Sequence, residues 1–163
     1  MQSFGSAVEK EIPRLRRYAR ALTRDEIASD DLVQDTIVRA LAKQHLWQEN
    51  TDLRAWLFTI LHNQYVNQVR RAVREEMAVE VSESLQANGS TDGFLESSYL
   101  ELAMRLLPAD QREVIELAGL EGLPYEQVAI ILGIPVGTVR SRLHRGRKLL
   151  RLRVMSRTTP ART

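Results

Sequence analysis

A chain of 163 residues that is 44% apolar and 27% charged can build one packed domain or two small ones, and it is too apolar for a disordered segment. It contains no cysteine, which excludes disulfides and thiolate metal sites, and His45, His62 and His144 stand apart with no ligand spacing. The formal net charge of +2 says little about partners until its distribution along the chain is read.

Residues 75–100 carry six acids (Glu75, Glu76, Glu80, Glu83, Asp92 and Glu96) and no base, whereas Arg140 to Thr163 carry nine Lys/Arg and no acid. A basic end of this kind suits a polyanion, although charge alone is explained more simply by a solvated helix face. No apolar run is long enough to span a membrane, and MQSFGSAVEKEIPRLRR lacks the apolar stretch of a signal peptide. Cytoplasm is the expected location.

In chain order, apolar residues recur at steps of three and four rather than in alternation, so helices are expected throughout. The first covers about Ser6–Leu22, with Val8, Ile12, Leu15, Tyr18, Ala19 and Leu22 on one face. Ser29-Asp30-Asp31 offers N-cap chemistry to a second, about Asp30–Lys43, which turns Leu32, Val33, Thr36, Ile37 and Ala40 inward. Asp31, Gln34 and Asp35 then share its opposite, polar face. A polar loop (Gln48, Glu49, Asn50, Thr51, Asp52) precedes a third helix, Leu53 to about Val73. Its stripe of Leu53, Trp56, Leu57, Ile60 and Leu61 reads as core. Thr59, Asn63, Asn67, Arg70 and Arg74 line up on another face, where amides and arginines suit a single DNA strand or simply face solvent.

Residues 76–97 lose the periodicity and read as a flexible acidic linker. Four further helices follow: Tyr99–Leu107, Ala109–Leu120, Tyr125–Leu132 with Pro124 at its first helical position, and one from near Pro135 to about Val154. The tail 156–163 reads as frayed. The expected fold class is therefore all-α: two small helical domains, 1–75 and 98–155, joined by the linker.

The segment Leu123 to Leu150 carries the sharpest signal. Ala129 is small where two helices would cross, and Gly133 stands four positions on, where a tight turn needs positive φ. Such a helix-turn-helix exposes Thr138, Arg140, Ser141, Arg142, His144, Arg145, Arg147 and Lys148 on its second helix. Arginine in a major groove can donate two bonds to guanine, and the helix start at Gly137-Thr138 offers N–H groups to a phosphate. A hairpin with a basic surface is the plainer reading of the spacing alone. Five cations and no acid on the second helix favour DNA.

These residues resemble the extracytoplasmic-function (ECF) group of bacterial sigma factors. Leu107–Leu150 is similar to that family's fourth conserved domain, and Asp30–Lys43 with Thr51–Arg71 to its second; the wording NTDLRAWLFTILHN is nearest the alphaproteobacterial general-stress branch. The resemblance implies a subunit that binds core RNA polymerase, through the beta-prime clamp helices and the beta flap, and directs it to promoter DNA. It implies minus-thirty-five duplex contacts at Arg112, Pro135, Gly137, Thr138, Arg140, Ser141, Arg142, Arg145 and Lys148. It places melted minus-ten contacts at Gln48, Glu49, Asn50, Thr51, Asp52, Asn63, Asn67 and Arg70, and polymerase contacts at Asp31, Gln34 and Asp35. Plainer roles stand beside several of these: an ion pair with Glu116 for Arg112, ordinary capping for Asp30 and Asp31, and core packing for Trp47. His144 departs from the aromatic or Asn that the family often carries there. An anti-sigma factor is an expected partner, and no cofactor or metal is implied.

Three other classes compete. A sigma mimic would sequester an anti-sigma factor without touching DNA, but such mimics usually sit on a receiver domain and lose the cations that persist here. A stand-alone repressor would leave Asp30–Arg71 unexplained. An enzyme is least supported, since no phosphate loop, GxSxG or metal triad occurs.

Overall fold

The structure, a computed structural model, describes residues 3–78 and 99–156, and all regular structure among them is helical. The chain divides into two compact units, Met1–Ser90 and Thr91–Thr163. The predicted linker lies outside the described residues from 79 to its end, as does the tail from 157. Among the described residues, no helix is long and apolar enough to cross a membrane.

The first unit is a three-helix bundle of α1 (Phe4–Thr23), α2 (Glu26–Ala42) and α3 (Leu53–Ala78), with a 3₁₀ turn at Gln44–Leu46. Arg24 takes the left-handed conformation (φ 54°) that ends α1, and Asp25 at once caps α2, its carboxylate accepting the Ala28 N–H at 2.8 Å. This corrects the expected start at Asp30. The cap lies one turn earlier, so Ser29, Asp30 and Asp31 are inside the helix and their capping role falls away. Asp52 caps α3 through the N–H groups of Arg54 (3.0 Å) and Ala55 (3.3 Å). Helix α3 also continues through 76–78, which sequence reasoning had given to the linker.

Its core is Val8, Leu15, Tyr18 and Ala19 from α1, Leu32, Val33 and Ala40 from α2, and Ala55, Leu57, Phe58 and Leu61 from α3. Each large side chain so buried contributes about 1.5–3 kcal/mol. Polar ties cross the bundle as well. The Tyr18 hydroxyl meets His62 Nδ1 at 3.0 Å, Thr36 Oγ1 lies 2.9 Å from the Gln64 amide oxygen, and Arg54 donates to Glu11 at 2.9 and 3.3 Å. Because the Thr36 hydroxyl also donates to Leu32 O at 2.7 Å, one proton cannot serve both acceptors. The Gln64 amide turned over, with its NH₂ donating to Thr36, satisfies all three groups.

Burial holds the His62 imidazole below its ordinary pKa of 6.5, in the neutral form. Below that value the unfolded chain binds more protons than the folded one, so stability falls as acid is added. Urea melts from about pH 5 to pH 7.5 are expected to show level stability above about 6.5 and a decline beneath it. The decline should be shallower in His62→Phe, and identical slopes in the two proteins would contradict the assignment.

The second unit holds α4 (Tyr99–Arg105), α5 (Ala109–Val114) running into a π-helical turn (Ile115–Leu120), α6 (Tyr125–Leu132) and α7 (Val136–Met155). The expected single helix 109–120 thus changes pitch half-way, and α4 stops two residues early. Pro124 sits at the N-cap, with ψ of 147°, rather than at the first helical position, and Pro135 near the start of α7 is likewise its N-cap, with ψ of 149°. Gly133 (φ 65°) closes α6, and Ile134 N–H reaches back to Ala129 O at 3.1 Å in a Schellman turn. Val128, Ile131, Val139 and Leu143 pack beneath the corner, with Val114 and Leu117 from the preceding element. A second glycine matters for packing. A Cβ on Gly146 would meet Ile115 Cδ1 at 2.6 Å and Gln111 Cβ at 3.3 Å, so α7 approaches α5 and the π turn closely there.

Candidate functional site

Helix α7 turns one face to its own unit and the other to solvent. Arg140, Ser141, His144, Arg145, Arg147 and Lys148 are exposed, as are Pro135 and Gly137 at its start, and Thr138 is half-buried. The Ser141 hydroxyl bonds to Thr138 O at 3.1 Å, and Thr138 gives its N–H to Pro135 O at 3.0 Å. Of the pair Gly137-Thr138, therefore, only Gly137 keeps an N–H outside the turn's own bonds. Beside the helix lies an open cleft of about 520 Å³, lined by Tyr125 together with Arg140, His144, Arg147, Lys148 and Arg151. Sequence reasoning did not single out Tyr125 or Arg151. Pro124 before the first residue of α6 was the signal that could have drawn attention to Tyr125.

Two predicted cations are not simply displayed to solvent. Arg142 is half-buried, its Nε 3.6 Å from Asp110 Oδ2, which corrects the expectation that the helix exposes it. Arg112, also half-buried, donates to Arg105 O at 3.4 Å.

On the first unit, Asp31, Gln34 and Asp35 are all exposed on α2. Neighbouring Asp30 leans to Arg16 (3.8 Å) instead. The structure adds something the sequence reading missed: Ile27, Val38 and Leu41 are 76%, 65% and 42% exposed. Positions 27, 31, 34, 38 and 41 follow a seven-residue repeat, so apolar and polar groups form one stripe along α2. A helix stripe of this composition matches a partner helix better than it matches water.

On α3, Asn63, Asn67 and Arg70 are exposed at helical spacing, with Arg74 beyond them. Thr59 drops out of this row because its hydroxyl is spent on Ala55 O at 2.8 Å. In the loop before α3, Gln48, Glu49 and Asn50 face solvent, while Thr51 folds back on Gln48 O (2.8 Å) and Asp52 is occupied as the cap. Trp47 lies against Phe4 at 5.3 Å, half-buried, and so packs with α1 as its plainer reading held.

The family model described as the Sigma2 domain of PhyR matches residues 8–62, and that of Sigma-70, region 4 matches residues 97–150. The ECF RNA polymerase sigma factor EcfG of Rhodopseudomonas palustris (strain TIE-1) is 39% identical over 141 residues, covering 85% of this chain and 78% of its own length. The chain belongs to the ECF RNA polymerase sigma factors. As such it is an alternative sigma factor for promoter-specific transcription, acting with RNA polymerase and promoter DNA.

Among solved structures, the sigma factor RpoE of Bartonella quintana, in complex with the anti-sigma factor NepR, is 36% identical to this sigma factor. It superposes with a TM-score of 0.78 over 95% of this chain and 98% of its own. The anti-anti-sigma factor PhyR of the same organism, complexed with NepR, is 14% identical with a TM-score of 0.55, over 91% of this chain and 49% of PhyR. At that identity the likeness is one of fold.

Proposed function

We propose that this sigma factor reads the minus-thirty-five element as duplex DNA with α7 and captures melted minus-ten DNA with the loop 48–52 and the Asn63–Asn67–Arg70 face of α3. The observation that carries this reading is the exposed basic face of α7 (Arg140, Arg145, Arg147, Lys148), in a helix without a single acid. Arg140 and Arg145 are placed for base edges. Lys148, Arg112 and the open start at Gly137 serve phosphates, with Pro135, Thr138 and Ser141 lining the approach. In the loop, Gln48, Glu49 and Asn50 have polar groups free to line a pocket for an unstacked base, and Thr51 and Asp52 hold the loop's shape. Opening a base from the stack costs a few kcal/mol, which such a pocket must offset.

The α2 stripe of Ile27, Asp31, Gln34, Val38 and Leu41, with Asp35 at its edge, is the proposed seat of the beta-prime clamp helices, and the second unit is the proposed contact of the beta flap. An anti-sigma factor is the proposed regulator, supported by the likeness to RpoE in its complex with NepR.

Run-off transcription with purified core polymerase tests the reading: this factor should yield a promoter-specific transcript, and none would overturn it. A second reading is favoured by one observation, the match of residues 8–62 to a domain of an anti-anti-sigma factor. A decoy would bind the anti-sigma factor and yield no transcript. The intact cations of α7 stand against it, since a decoy has no use for them.

A further inference from the structure

Arg142 differs from the other cations of α7. Its side chain is 28% exposed and is held 3.6 Å from the Asp110 carboxylate at the start of α5. One turn further along α7, Gly146 makes the close approach to Gln111 and Ile115. Positions 142 and 146 are four apart and share a helix face, so the ion pair and the glycine contact form one seam against α5 and the π turn. Glu113, three residues after Asp110, feels the charge of Arg142. Burial holds its carboxyl pKa above the ordinary value, a rise that the fields of Arg112 and Arg142 oppose without cancelling. The charge of Arg142 is thus met by the Asp110 carboxylate of its own domain before any DNA arrives, and a phosphate or guanine would compete with Asp110 for it.

We propose that Arg142 is a positioning residue: paired with Asp110 beside the close approach at Gly146, it sets the roll of α7 on α5 and so aims Arg140, Ser141, Arg145 and Lys148 at the groove. This rests on the reading of α7 as the duplex-reading helix. It predicts behaviour opposite in sign to that of a residue reading a base or phosphate. If Arg142 touched DNA, Asp110 would be its competitor, and Asp110→Asn would release it.

The test uses the reconstituted holoenzyme on promoter DNA, with affinity measured against salt and base preference measured on templates varied through the minus-thirty-five element. Arg142→Met and Asp110→Asn are each expected to weaken binding about two- to fivefold at every sequence, as for a part-exposed ion pair, with the salt slope unchanged. The double variant should be no worse than either single one, because the two side chains act as one unit. Tighter binding by Asp110→Asn with a salt slope steeper by about 0.9, or loss of preference at a single base pair in Arg142→Met, would overturn the proposal. Should Arg142→Met fail to fold by circular dichroism, Arg142→Lys decides. Lysine keeps the charge for Asp110 but cannot bond guanine in bidentate fashion, so near wild-type preference is expected and a loss at one base pair overturns the proposal. Arg140→Ala serves as the control for the parent reading. If it too leaves affinity and preference untouched, the assignment of α7 to DNA fails, rather than this inference alone.

Discussion

Replacing Arg140 by alanine is expected to remove about 1–3 kcal/mol of discrimination at one minus-thirty-five base pair, roughly a five- to 150-fold fall in preference in competitive run-off transcription. The size follows from what the guanidinium faces. Arg140 is exposed, sits in the first turns of α7, and shares its helix with no acid. Its five donors are therefore available for the paired O6 and N7 acceptors of guanine, and alanine would leave those acceptors unbonded in a partly desolvated groove. Lys148→Ala should behave otherwise, weakening all promoters alike and lowering the salt slope by about one. A variant at position 140 with unchanged preference but a reduced slope would reassign Arg140 to the backbone.

Much of this architecture is legible in the sequence, and the exceptions have physical causes. Gly133 was readable because a left-handed turn at the end of an apolar helix leaves few alternatives, and the structure puts φ at 65° there. The start of α2 was misplaced because capping chemistry occurs twice, at Asp25 and at Ser29–Asp31. Ile27, the residue that would have revealed the earlier turn, faces solvent and breaks the apolar pattern. Pro124 fits either the first helical position or the cap, since its ring fixes φ in both and only ψ distinguishes them. The π turn at Ile115–Leu120 leaves no mark in the periodicity, because a run of six residues is too short to separate i→i+5 spacing from i→i+4.

The functional surfaces divide in the same way. Exposure along α7 follows from helical spacing, so Arg140, Arg145 and Lys148 were identifiable from the sequence. The diversion of Arg142 was not, because its partner Asp110 lies 32 positions away and only the packing of α7 on α5 brings them together. Trp47 shows the reverse. Its aromatic ring beside the polar loop 48–52 invites a stacking role, but the Phe4 ring against it belongs to the bundle.

The proposed polymerase face on α2 offers the second large effect. Asp35→Arg is expected to weaken binding to core polymerase by about 2–4 kcal/mol, roughly thirty- to thousandfold in Kd, because it sets a cation where the partner meets an anion. The fold should be indifferent to the change. Asp35 is exposed in the middle of α2, ten positions beyond the Asp25 cap, so melting should move by no more than about 0.5 kcal/mol. Competition against labelled wild-type factor for core polymerase measures the first quantity, and thermal unfolding of the free protein the second. Val38→Asp probes the apolar half of the same stripe and should weaken binding too, since its side chain is 65% exposed in the free protein and the fold loses little packing with it. Asp30→Arg is the informative contrast. Its carboxylate leans to Arg16 off the stripe, so polymerase binding should be nearly unchanged, although the charge reversal is the same. Equal losses at positions 30 and 35 would point to a general electrostatic attraction between α2 and the polymerase instead of a seated helix contact.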